Sequence, residues 1–283
     1  MKQSQKKQIG QDAFENYYSQ TFGTRWESLK EAFYKESDSV EYKIKGAQKS
    51  YFLDSASVLA ALCLPLTHAE TILDLCAAPG GKTLVLASRM EENATLFSNE
   101  RSSDRKRRLD TVVKECLPEN ISQRVKTSCS DGSTWCTRQQ ECFERILLDA
   151  PCSSERHVYL DTHYLSKWTP SRIKTVSMEQ WALLSNAYRL LSVGGVLLYS
   201  TCALAKDEND LMLQKLIKKF NKDGSNFELL DMKPNLEEIK DFVDIKLPNA
   251  KKTEYGYEVL PDVENGAGPI YFSIIHKIKS CYS

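Results

Sequence analysis

Two cysteines in this chain stand in short motifs that suit covalent chemistry, Asp149-Ala-Pro-Cys152-Ser153 and Ser200-Thr-Cys202. A positioned thiolate is a good nucleophile toward an electron-poor ring carbon. On a cytosine, addition at carbon 6 makes carbon 5 enamine-like, so that carbon 5 can attack an electrophilic methyl group. A base then removes the carbon-5 proton and the thiolate leaves. This chemistry needs a cysteine beside the ring, an acidic group near the ring nitrogen and a methyl donor in line. Asp149, three residues before Cys152, is placed to reach the ring nitrogen and the amino edge. One cysteine at a strand end is most often an inert small apolar residue. Two at neighbouring strand ends, one after proline and one after threonine, point instead to a shared site.

The elements that must carry them alternate between strand and helix from about residue 70. Ile72, Leu73 and Leu75 begin a first strand, Ala94 to Asn99 a second, Val125 to Cys129 a third, Ile146 to Ala150 a fourth and Val196 to Ser200 a fifth. Helical patterns lie between them at Thr83 to Met90, Asp104 to Leu117 and Met178 to Leu191, the last ending at Gly194-Gly195. A further amphipathic helix follows from Leu213, Leu216, Ile217 and Phe220. Tyr257 to Leu260 and Ile270 to Ile275 read as a closing strand pair. Such alternation predicts an α/β fold, a mostly parallel sheet with helices on both faces, whose ligands bind at the carboxyl ends of the strands.

Each of those strand ends carries polar or nucleophilic residues. The first runs into Cys76-Ala77-Ala78-Pro79-Gly80-Gly81-Lys82 at a helix start, where free N–H groups and the positive dipole end favour a ligand. The spacing is neither G-x-G-x-x-G nor a P-loop. Glu100 ends the second strand, about 20 residues past a glycine loop, where an acidic side chain accepts from ribose hydroxyls. Asp131 and Gly132 follow the third strand.

Composition limits the alternatives. Thirty-eight basic residues balance thirty-eight acidic ones over 283 residues, so any nucleic-acid surface must come from local clustering rather than bulk charge. No apolar run reaches the ~18 residues of a membrane span, and no signal-peptide core follows the N-terminus. Nine cysteines without a C-x-x-C pair predict reduced thiols in a cytoplasmic setting, with no disulfide framework and no metal site.

The three segments Asp74-Leu-Cys-Ala-Ala-Pro-Gly-Gly-Lys-Thr83, Asp149-Ala-Pro-Cys-Ser153 and Ser200-Thr-Cys202, in this order, resemble the signature motifs of the NOL/NOP/Sun family of RNA cytosine-5 methyltransferases. The likeness covers roughly residues 50 to 275. Tyr51 to Ser57 resembles the family's pre-motif segment and Gly268 to Tyr271 its closing strand. Phe14 to Tyr18 with Phe22 to Trp26 is most similar to the short mitochondrial branch, which modifies small-subunit ribosomal RNA or a transfer RNA anticodon. The resemblance implies a class I S-adenosylmethionine-dependent methyltransferase fold: a Rossmann-like, seven-stranded sheet with its last strand antiparallel. It implies Cys202 as nucleophile and Cys152 as the residue that assists product release, with Asp149 between donor and base. Gly80, Gly81 and Lys82 would hold the methionine part of S-adenosylmethionine, with Cys76, Ala77, Ala78 and Pro79 shaping the loop. Glu100, with Arg105 nearby, would take the ribose, and Asp131 and Gly132 would face the adenine. Where many members continue Pro-Cys-Ser with Gly-Leu-Gly, this chain has Ser153-Ser-Glu-Arg-His157.

These readings divide the chain into a helical segment over 1–50, a candidate RNA contact, and a catalytic domain over 51–283. Arg101, Arg105, Lys106, Arg107 and Arg108 form the densest basic group, either a phosphate track or a solvated helix face. Arg156, His157, Lys167, Trp168 and Arg172 combine cations with an aromatic suited to stacking on an unpaired base. The expected partners are ribosomal or transfer RNA with an unpaired target cytosine and a protein that strengthens the RNA grip. The expected compartment is the cytoplasm, or the mitochondrion for a eukaryotic source.

Overall fold

The computed structural model describes residues 9–282. Two helices, α1 (Gln11–Phe22) and α2 (Arg25–Phe33), precede a hairpin of β1 (Ser39–Tyr42) and β2 (Tyr51–Asp54), and α3 (Ser55–Leu62) leads into the main sheet. There follow β3 (Thr71–Asp74), α4 (Gly81–Arg89), β4 (Thr95–Glu100), α5 (Ser103–Cys116), α6 (Glu119–Ser122), β5 (Val125–Cys129) and β6 (Phe143–Asp149). The chain continues through α7 (Glu155–Leu160), α8 (Thr162–Leu165), α9 (Ser171–Leu190), β7 (Leu191–Thr201) and α10 (Asp210–Phe220). It ends with β8 (Phe227–Leu229), β9 (Lys251–Lys252), β10 (Tyr257–Val259) and β11 (Ile270–Lys277).

The sheet order is β5-β4-β3-β6-β7-β11-β10-β9, with β8 also on β11. The first five strands are parallel. Ile72, Leu73, Ile146, Leu147, Leu148, Leu197 and Leu198 in its central strands are wholly buried, as parallel strands covered on both faces require. The apolar sides of α3, α4 and α5 cover one face in a first core. Those of α9 and α10 cover the other. In α10, Met212, Leu213 and Leu216 are buried while Lys215, Lys218 and Lys219 face solvent, which makes these lysines the wet side of an amphipathic helix.

The α/β class and the antiparallel closing strand are as expected, and β10 pairs with β11. The strand count differs. β8 pairs with Ile275 to Lys277 and β10 with Ile270 to Phe272 on the edge of β11 away from β7, so two short strands share the position expected of one, and β9 extends that edge. The helix before β7 also ends earlier than its glycines suggest. It stops at Leu190, and Leu191 already pairs with Phe143; Gly194, at φ +79°, lies where the β6–β7 register shifts. Gly-Gly here bends a strand instead of ending a helix.

A third apolar cluster lies beside the sheet. Phe14, Tyr18, Trp26 and Phe33 of α1 and α2 pack against Tyr159, Leu165 and Trp168, and against Leu204 after β7. The β1–β2 hairpin joins this part to the sheet: Asp54 caps α3 through the Ala56 amide at 2.9 Å and accepts from the Gly268 amide at 3.1 Å. Among the described residues no helix is long and apolar enough to cross a membrane.

Candidate active site

The site is assembled where β3, β4, β5, β6 and β7 end. Asp74 closes β3 and receives the Thr83 hydroxyl of α4 at 2.7 Å, which folds the Cys76–Gly80 loop over the helix start. Its other oxygen, Oδ1, is buried without a hydrogen-bond partner. Burial pushes the Asp74 carboxyl up to about 7, opposed by the Thr83 bond. Gly80 sits at φ +120°, and a Cβ there would lie 2.9 Å from Val112 Cγ1, so the turn admits only glycine without strain. Gly80 therefore shapes the loop and packs on α5, whereas Gly81 and Lys82 line the cavity in front of it.

That cavity, about 170 Å³, is bounded by Tyr51, Leu53, Ser57, Asp74, Cys76, Ala77, Ala78, Pro79, Gly81, Lys82 and Asp149. A second, about 350 Å³, is bounded by Cys76, Glu100, Arg105, Asp131, Gly132 and Pro151, with Glu179 and Leu183 of α9 behind. Cys76 and the loop separate the two lobes. Glu100 is buried and accepts from the Ser102 amide at 2.9 Å. Arg105 lies 3.1 Å from Glu100 and also holds the Ala78 carbonyl, so it braces the loop. Asp131 accepts from the Ser133 amide at 3.0 Å and hydroxyl at 2.8 Å, and these bonds hold its carboxyl below the usual range. Asn99, not anticipated from sequence, donates to the Leu75 and Ser130 carbonyls and accepts from Ser128 and Ser130, tying three strand ends together.

On the other side of Asp149 stand the two cysteines. Asp149 pairs in register with Ser200, so the segments after β6 and β7 emerge side by side. Asp149 accepts from Ser200 Oγ at 2.8 Å and from Lys82 Nζ at 2.7 Å. Burial works against the Lys82 charge, but the neighbouring Asp149 outweighs it and the Lys82 pKa is raised. The Cys152 and Cys202 sulfurs are 2.8 Å apart, and Ser154 Oγ lies 3.3 Å from each. Both are free thiols, Cys202 exposed and Cys152 partly so. Donation from Cys152 and Ser154 lowers the Cys202 thiol, while the same partnership, with burial, keeps Cys152 protonated. Ser154, in the left-handed region at φ 53°, is a second residue that sequence reasoning missed. Beyond Cys202 opens a cleft of about 680 Å³ between Phe33, Tyr34, His157, Leu160 and Pro269.

Two expectations for the loop after Cys152 are corrected. Trp168 is not available for stacking: it is 2% exposed and packs on Phe14 at 5.0 Å and Tyr17 at 5.7 Å. Arg156 is committed to the carbonyls of Gly266, Gly268 and Lys35, clamping the wall of the cleft. In the basic group on α5, Lys106 pairs with Asp110 at 2.8 Å and Arg107 with Asp104, which favours the solvated-face reading for those two.

A model of the 16S rRNA methyltransferase RsmB/F family matches residues 61–266. The chain belongs to that family. Among curated relatives it is 30% identical over 244 residues to the 5-cytosine rRNA methyltransferase NSUN4 of Mus musculus, covering 82% of this chain and 61% of that protein. It is 36% identical over 167 residues to ribosomal RNA small subunit methyltransferase F of Aeromonas salmonicida, covering 59% and 34%. The chain thus spans about three fifths or less of the length of these relatives. A solved methyltransferase homolog protein from Pyrococcus horikoshii superposes with a TM-score of 0.70 at 22% identity, covering 95% of both chains. NSun6 from Pyrococcus horikoshii with SFG gives 0.63 at 24%, covering 84% of this chain and 56% of that one. The family and the class I methyltransferase fold expected from the three motifs are both borne out.

Proposed function

We propose that this chain is an S-adenosylmethionine-dependent RNA cytosine-5 methyltransferase acting on small-subunit ribosomal RNA, with Cys202 as the nucleophile. The observation that carries this reading is the position of the Cys152–Cys202 pair between a two-lobed cavity and an open cleft. The curated relatives NSUN4 and methyltransferase F, both named for ribosomal RNA, support the substrate class.

The two lobes suit S-adenosylmethionine. The unpartnered, buried Asp74 Oδ1 supplies an acceptor for the donor's amino group, Glu100 takes the ribose, and Asp131 and Gly132 flank the adenine. Bound there, the donor supplies an electrophilic methyl group. The remaining chemistry belongs to the chain. Cys202, favoured as thiolate by donation from Cys152 and Ser154, adds to the cytosine ring from the cleft side. Lys82 and Ser200 hold the Asp149 carboxylate toward the base. Cys152, kept protonated, stands where the departing Cys202 needs a hydrogen-bond donor when product is released.

Cys202 lines the cleft wall, and its attack on a ring carbon needs a cytosine free of its stack, so the substrate in this reading is an unpaired or loop cytosine. Phe33 of α2 and Tyr34 after it, within the N-terminal segment expected over 1–50 as an RNA contact, form one wall of that cleft. With α5 partly neutralised and Trp168 buried, a partner protein would supply further RNA contacts. We place the activity in the cytoplasm, or in the mitochondrion for a eukaryotic source.

Bisulfite sequencing of total RNA from cells with and without the protein identifies the substrate. A lost 5-methylcytosine in small-subunit ribosomal RNA is expected; loss only in a transfer RNA would overturn the substrate assignment. Cys202→Ser is expected to cut methyl transfer by at least about a thousandfold with donor affinity retained, and retained turnover would overturn the nucleophile.

A further inference from the structure

Behind the two cysteines lies a buried polar cluster that the chemistry above does not use. Glu155 and Glu208 are both fully buried. Among the described residues neither makes an ion pair within 4.0 Å. Ser153 Oγ contacts an oxygen of each. Glu208 also accepts from the Ser153 amide at 2.9 Å and from Gln180 Nε2 at 2.8 Å. Glu155 accepts from the Leu204 amide at 2.9 Å and from the Tyr18 hydroxyl.

The hydrogen count decides what this cluster is. Ser153 has one hydroxyl hydrogen, and two carboxylate oxygens claim it. If both carboxyls were ionised, one oxygen would face the serine oxygen with no hydrogen between them. The count closes when the two carboxyls hold one proton between them, either with a neutral Glu208 donating to Ser153 Oγ and Ser153 donating to Glu155, or with the two roles exchanged. Ser153 follows Cys152, and Leu204 stands two residues after Cys202, so the cluster spans both catalytic segments and ties them to α1.

We infer that Glu208, Ser153 and Glu155 form a proton-sharing bridge that holds the Cys152 and Cys202 segments in register, and that losing its proton at alkaline pH uncouples them. Glu155 and Glu208 are positioning residues. Burial first, and the charge of Glu155 second, push the Glu208 carboxyl up to about 7. The groups that face it are Glu155 and Cys152 from the first segment, Tyr17 and Tyr18 from α1, Tyr199 from β7, and the neutral Gln180 from α9. Asp207 precedes it in the chain. None of these groups carries a positive charge; the donations from Ser153 and Gln180 favour the Glu208 anion, but burial and the charge of Glu155 outweigh them.

The sign follows from linkage. A carboxyl whose folded pKa is raised contributes stability that is full below its unfolded value and lost as pH rises through about 7. Glu208→Gln keeps a neutral side chain at every pH. Melting temperatures of both proteins between about pH 5.5 and 8.5 should show a gap in favour of the variant that widens by several degrees toward alkaline pH. The titration of Asp74 is common to both proteins and cancels in the difference. A gap constant across pH overturns the bridge.

The second readout rests on the proposed methyltransferase reading. The alkaline limb of methyl transfer in the wild type should be lost in Glu208→Gln, raising the ratio of alkaline to neutral rates several-fold; an unchanged limb counts against the positioning role. Should RNA methylation be absent altogether, the melting gap still decides the bridge. Should Glu208→Gln not fold, Glu155→Gln serves in its place. Removing the opposing charge should move the stability loss to lower pH, and an unmoved profile overturns the bridge.

Discussion

Cys202 is useful because of what surrounds it. A free thiol titrates near 8.5, and here the Cys152 thiol and the Ser154 hydroxyl stabilise its anion while Lys82 stays charged nearby. The pairing distinguishes two chemically identical side chains, because the thiolate is favoured on one and disfavoured on the other. Cys152→Ala should leave addition intact and slow release, accumulating an RNA–protein adduct that survives denaturing electrophoresis; absence of that band would remove the release role. Glu100 is buried with a backbone amide on one oxygen and Arg105 beside the other. Glu100→Ala should weaken donor binding roughly tenfold or more, the worth of a hydrogen bond to a charged group, as read by calorimetry; an unchanged dissociation constant would exclude it from the site.

At the scale of elements, the β3–α4 turn is the part with least tolerance. Its φ of +120° at Gly80 and the 2.9 Å approach to Val112 act together. Gly80→Ala should cost about 1 to 3 kcal/mol and displace the cavity wall, so urea melts and donor titration should both report a loss. A variant as stable as the wild type would mean that α5 yields easily. The β6–β7 pairing has the opposite character. Nine of the twelve residues in its register pairs are hydrophobic, and beyond the bend at Gly194 the pairing of Asp149 with Ser200 places the two cysteine segments in regular register.

At the scale of the molecule, the N-terminal helices are not a loose appendage. They share an aromatic cluster with α7, α8 and the segment after β7, and Tyr18 reaches Glu155 directly. Trp168→Ala should destabilise the fold by roughly 3 to 5 kcal/mol, measured by chemical denaturation, with Trp168→Phe much milder. At a temperature where the alanine variant remains folded, its KM for RNA should match the wild type; a raised KM would restore Trp168 as an RNA contact.

The sequence by itself determined the strand-helix alternation, the order of the three motifs and the residues at each strand end, because periodicity and turn chemistry are local properties. Asp149, Cys152, Cys202, Glu100 and the Gly80–Lys82 loop were all legible there. Only the tertiary structure decided how those residues divide between lobes and cleft, that Ser154 sits against both thiols, and that the seventh sheet position is shared by two short strands. Trp168, Arg156, Glu155 and Glu208 look like solvent-facing loop residues in one dimension. The burial of Trp168, Glu155 and Glu208 and the clamping of Arg156 depend on α1, α2 and the turn at Gly266 arriving from more than about a hundred residues away, a long-range packing outcome with no local signature. The Cys152–Cys202 pair joins both levels: its residue types are written in the motifs, and its 2.8 Å separation comes from the parallel register of β6 and β7.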